Sequence, residues 1–115
     1  MMIAVIFELY AMQGKADAYL QRAAQLKPLL AGIDGFISIE RFQSLADPDK
    51  LLALSFWRDE EAVRQWRNLE AHRQAQAAGR HALLADYRLR VAEVVRDYGK
   101  TARREAPTDS RGRHG

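Results

Sequence analysis

The chain has no cysteine. That excludes a disulfide framework, a thiolate metal site and a cysteine nucleophile, and it fits a reducing, cytoplasmic setting. No apolar run approaches the roughly 20 residues that a membrane-spanning helix needs, so no membrane partner is expected. The opening stretch MMIAVIFELYAM lacks a basic leader and meets charge at Glu8, so it reads as a strand and not a signal peptide. Internal repeats and low-complexity blocks are missing. So are metal-ligand spacings, a P-loop, a dinucleotide fingerprint and a hydrolase nucleophile elbow. Gly32-x-x-Gly35 is a turn and not a phosphate cradle.

A charged body is missing too. The formal charge is +3 over 115 residues. Five bases (Lys100, Arg103, Arg104, Arg111, Arg113) and two acids (Glu105, Asp109) follow Tyr98, and residues 1–98 hold 13 of each sign. The basic tilt therefore belongs to the tail, and a nucleic-acid groove in the body is not expected. With 48% hydrophobic and 29% charged residues, the rest has the composition of one soluble domain with a real core. We expect a domain over 1–98 and a basic, polar, mobile C-terminal tail over 99–115.

Ile3 to Tyr10 alternates with apolar residues on both sides, which suggests a strand covered on both faces. A helix is expected from about Lys15 to Lys27, stopped or bent by Pro28, with Gly32 and Gly35 in the following turn. Phe36 to Phe42 alternates again, placing Phe36, Ser38, Glu40 and Phe42 on one face. Ala46-Asp47-Pro48-Asp49-Lys50 has turn composition, and Leu51 to Trp57 completes a hairpin. Asp59 is placed to cap a second helix, with Glu60 and Glu61 in its first turn, running to about Ala78. Asp86 to Tyr98 returns to strand character, with Tyr87, Leu89 and Val91 on one face. The order βαββαβ predicts an α+β, ferredoxin-like fold: a four-stranded antiparallel sheet with both helices on one face. The bare face needs a cover, and a second copy of the same sheet supplies one, so a homodimer is predicted.

Four segments carry a resemblance: Gly35-Phe36-Ile37-Ser38-Ile39-Glu40-Arg41-Phe42; Leu54-Ser55-Phe56-Trp57-Arg58-Asp59-Glu60-Glu61-Ala62; Trp66 with Glu70-Ala71-His72-Arg73; and Asp86-Tyr87-Arg88-Leu89-Arg90-Val91. Over roughly residues 2–98 the chain resembles the antibiotic biosynthesis monooxygenase domain family. The resemblance implies a dimeric α/β barrel of ferredoxin-like type. It also implies an oxidoreductase that binds a small apolar, aromatic or polyketide-like substrate between sheet and helices. In the family's cofactor-free reaction the substrate is deprotonated and its electron-rich anion meets oxygen directly. No cofactor is expected on that reading. The haem-degrading branch carries an Asn on the first strand and a His ten residues after the helix tryptophan. Here Ile3 to Tyr10 has no Asn and the offset falls on Gln76, which speaks against a proximal iron ligand.

Within this frame the inward face of the second helix is read as Ala62, Trp66, Leu69, Arg73 and Gln76, with His72 at its margin, about 240° from Trp66. Trp66 is core or a pocket wall. His72 is either a proton donor and acceptor for the substrate or a surface histidine. Tyr87 is a second candidate base. Arg88 or Arg90 either stabilises the substrate anion or pairs with Glu40 across the sheet or dimer. Ser38, Glu40 and Ser55 are polar residues in apolar strands, which must line a pocket or bond one another. Arg80 and His81 are read as a solvated cap or an anion contact. The candidate set is thus His72, Tyr87 and Arg88 for catalysis, with Ser38, Glu40, Ser55, Trp66, Leu69 and Gln76 for substrate. The other open readings are a non-catalytic ligand-binding or stress-response dimer and, third, a haem oxygenase.

Overall fold

The structure, a computed structural model, describes residues 1–76 and 83–111, with the backbone alone for 71–76 and 110–111. The elements are β1 (Ile3–Ala11), α1 (Ala16–Ala31), β2 (Phe36–Gln43), β3 (Lys50–Trp57), α2 (Glu60–Gln76), β4 (Leu84–Glu93) and a short α3 (Thr108–Arg111). The sheet order is β2-β3-β1-β4 with every neighbour antiparallel, which is the ferredoxin-like arrangement that the strand-helix order predicts. Among the described residues no helix is long and apolar enough to cross a membrane.

Strand alternation decides what each face does. The odd residues of β1 point toward the helices, opposite Trp57, Ser55, Ala53 and Leu51 of β3. On its other flank Val5, Phe7 and Leu9 meet Val91, Leu89 and Tyr87 of β4. Two clusters form the core there. Ile3 and Trp57 pack with Leu30, Ala62 and Val63, and Phe7, Leu9 and Ala53 pack with Tyr19 and Leu84. Burying each large side chain contributes roughly 1.5–3 kcal/mol.

Three expectations are corrected. First, the register of β2 shifts between Phe36 and Ser38. One extra residue in a strand reverses the parity beyond it. Phe36 therefore lies on the helix side, edge-on to Trp57 at 5.2 Å, while Ser38, Glu40 and Phe42 face the other way, and Ile39 and Arg41 turn toward the helices. Second, α1 runs through Pro28 to Ala31 before Gly32. The proline removes one backbone donor near the helix end, and the burial of Leu30 at 2% exposure holds the last turn in place. Third, β4 ends at Glu93, and the Val94 N–H reaches the Met2 carbonyl at 2.9 Å. Further on, the Asp97 N–H donates to the Glu105 carboxylate, the Arg103 guanidinium lies 5.2 Å from the Tyr98 ring centre, and Ala106 is buried.

The face without helices carries Ile6, Leu52, Leu54 and Phe56, all half-buried. Glu8 sits among them, held by Arg90 at 2.8 Å and Lys50 at 3.2 Å, and these hydrogen bonds, Arg90's first, keep its carboxyl below the usual range. Within the chain Glu40 does not meet Arg88 or Arg90, because β2 and β4 are opposite edges of the sheet.

The joint between β3 and α2 rests on Gly35 and Arg58. Asp59 caps α2 by accepting the Ala62 N–H at 3.0 Å, as its position predicts. Arg58 bonds Asp59 at 2.9 Å and Asp34 at 3.1 and 3.2 Å, and its N–H donates to the Gly35 carbonyl at 2.7 Å. Gly35 has φ of 95°, and a Cβ there would lie 2.9 Å from the Ala62 Cβ. Gly35→Ala is expected to cost about 2–3 kcal/mol, the left-handed backbone penalty plus a forced shift of α2. Urea unfolding checks it, and an unchanged midpoint would contradict this view of the joint.

Candidate active site

A cavity of about 130 Å³ lies between the helix side of the sheet and the two long helices. An apolar cavity of roughly 150 Å³ takes a benzene-sized molecule, so this space is of that order. Its floor is Val5 and Phe7 of β1, Ile39 and Arg41 of β2, Ala53, Ser55 and Trp57 of β3, and Leu89 and Val91 of β4. Its roof is Leu26 and Leu30 of α1 with Val63, Trp66, Arg67 and Glu70 of α2. The void has a cause in the sequence. On the helix side β3 reads Leu51, Ala53, Ser55, Trp57, so two small residues occupy the centre of the sheet where the neighbouring strand places Phe7 and Val5.

The walls are mostly apolar, and four polar side chains interrupt them. Ser55 is buried, and its hydroxyl accepts the Trp57 indole N–H at 2.9 Å, which leaves the hydroxyl proton to donate. Trp57 is thereby fixed as one wall, with Trp66 facing it from α2; these are both tryptophans of the chain. Arg41 enters from β2, and Arg67 and Glu70 come from α2. Glu70 Oε2 and Arg41 Nε are both shielded from solvent. A carboxylate, a hydroxyl and the Arg41 guanidinium thus line one apolar space, with the exposed Arg67 at its edge, a combination able to move a proton and hold an anion.

Of the residues singled out in the sequence, Ser55 and Trp66 line this cavity. Tyr87 lies on the same face of the sheet at its β4 edge, edge-on to Phe7 at 5.6 Å and about half exposed. Leu69 is half-buried on α2 and not among the lining residues. Ser38, Glu40 and Arg88 lie on the opposite face, because strand side chains alternate and the bulge in β2 fixes which set turns inward. The side chains of His72 and Gln76, and all of Arg80 and His81, lie outside the described residues. Sequence reasoning passed over Arg41, Trp57, Arg67 and Glu70. Glu70 was in reach, being one helical turn beyond Trp66, as was Arg67 beyond Val63. Among the described residues no three of His, Cys, Asp and Glu are grouped to hold a metal ion.

Comparison with known proteins agrees with this fold. The profile of a family described as antibiotic biosynthesis monooxygenase matches residues 2–78. A curated relative, the jasmonate monooxygenase ABM of Pyricularia oryzae, is 48% identical over 94 residues, which are 82% of this chain and 44% of the relative. The chain therefore spans less than half of that protein's length. Two solved structures share the fold. Rv0793 from Mycobacterium tuberculosis is 17% identical with a TM-score of 0.73, covering 86% of this chain and 100% of its own. SnoaB, a cofactor-independent oxygenase from Streptomyces nogalater, is 14% identical with a TM-score of 0.70, covering 84% and 96%.

Proposed function

The chain belongs to the antibiotic biosynthesis monooxygenase family, and from that premise we propose that it oxygenates a small, largely apolar molecule held between the sheet and the two long helices. The observation that carries this reading is the cavity itself, in which Ser55, Arg41, Arg67 and Glu70 converge on a space walled by Trp57 and Trp66. The 48% identical jasmonate monooxygenase supports a small-molecule substrate.

In this reading the substrate has an acidic C–H beside a carbonyl or phenol. Glu70 takes the proton, and the apolar walls keep water from the carbanion. The substrate then supplies the electrons: a CH2 group and O2 become a carbonyl and water through a hydroperoxide, with no added reductant. Turnover under 18O2 is expected to give a product with one labelled oxygen and one equivalent of labelled water. Two labelled oxygens in the product, or a strict requirement for added reductant, would contradict the scheme.

We propose further that the open face of the sheet is covered by a second copy of the chain. That face is apolar at Ile6, Leu54 and Phe56, and its central Glu8 is held by Arg90 and Lys50, so the centre of two such faces stacks without an unpaired carboxylate, while the exposed Glu40 sits on the edge strand β2. The cavity lies on the other side of the sheet, within one chain.

A further inference from the structure

Arg41 is out of place for a surface arginine. It stands on the helix side of β2, opposite Ala53, half-buried, and it lines the cavity. Its Nε is closed to solvent and has no hydrogen-bond partner, and among the described residues no ion pair engages the side chain. Burying the Nε donor of a guanidinium unmet is costly, and an anion arriving in the cavity would meet it. Among the described residues no side chain plays that part. Residues 71–82 and 110–115, which include every segment without described side chains, hold no Asp or Glu. Glu70 shares the cavity wall with Arg41, and the exposed Arg67 adds a second guanidinium at its rim.

We infer that Arg41 is a specificity residue that holds a carboxylate of the substrate, with Arg67 adding charge at the cavity wall. The anion concerned is present before reaction. An enolate exists only in passing, whereas the unmet donor belongs to the resting protein, so a group ionised at neutral pH fits it. A carboxylate also matches the planar fork of a guanidinium with two parallel hydrogen bonds. The ligand is then amphipathic, its charged end toward β2 and its apolar body between Trp57 and Trp66. This inference rests on the cavity being the substrate site and deepens that reading.

The test uses 3-phenylpropanoate and its neutral amide, 3-phenylpropanamide, with binding read by quenching of the two cavity tryptophans. The full chain is expected to bind the acid at least about tenfold more tightly than the amide. Arg41→Gln should weaken the acid by roughly ten- to a hundredfold and leave the amide unchanged, and Arg41→Lys should fall between. Because the Arg41 side chain bonds nothing among the described residues, both variants should keep the parent's melting temperature, which shows that each is folded. Equal affinity for acid and amide, no binding of either at millimolar concentration, or an Arg41→Gln protein that keeps the preference overturns the inference. Loss of the preference with normal 18O incorporation removes the carboxylate subsite alone. A retained preference without oxygen incorporation removes the oxygenase reading alone.

Discussion

Glu70→Gln is expected to lower turnover by about 10²- to 10⁴-fold, the range over which a positioned general base acts, with KM changed only a few-fold. The side chain keeps its size and one carbonyl oxygen, so the cavity wall stays intact and only the proton acceptor is lost. Glu70 stands one turn beyond Trp66 on α2, with Oε2 shielded from water. The helix is anchored at its start by Ala62 and Val63 in the core and by the Asp59 cap, so its geometry should survive the change. Steady-state oxygen consumption checks it. If turnover stays within threefold of the parent, the base is another group, and His72 on the same helix becomes the next residue to replace.

The second large effect concerns the other face of the sheet. Leu54 lies mid-strand on β3, opposite Ile6 on one side and Glu40 on the other, away from both helices. Leu54→Asp would place an unpaired carboxylate between two stacked sheets. Desolvating it without a partner costs several kcal/mol, so the dimer should weaken by roughly a thousandfold, and sedimentation at micromolar concentration should show a monomer. The cavity is built from the opposite face of the same strands, so the monomer should still bind 3-phenylpropanoate within a few-fold of the parent. A parent protein that sediments as a monomer, or a variant that stays dimeric, contradicts face-to-face stacking.

Much of the fold was legible because its signals are local. Alternation in Ile3 to Tyr10, turn residues around Asp47-Pro48, and an acidic cap at Asp59 each report a few neighbouring residues, and together they gave the strand order. Ser55 was legible in the candidate site for a similar reason: a small polar residue in an apolar strand needs a partner, and it finds the Trp57 indole. What was not legible depends on distance or on parity. Alternation sorts β2 into two sets without saying which set faces the helices, and the bulge after Phe36 exchanges them. That single residue sent Ser38 and Glu40 to the outer face and brought Arg41 inward. Arg88 and Glu40 looked like partners, yet two strands separate their edges, and Glu8 takes Arg90 and Lys50 instead. Glu70 lay within reach of the Trp66 spacing, but charged residues on an amphipathic helix usually face water, which drew attention away from it.

The claim that the substrate lies between the sheet and the long helices is tested most directly by locating it. Crystals of the Glu70→Gln protein, which should bind substrate without turning it over, can be soaked with a molecule that the parent oxygenates. Density lying between Trp57 and Trp66, with its anionic end on Arg41, is the predicted result. Ligand seated instead on the open face against Leu54 and Phe56, with the cavity empty, would contradict it.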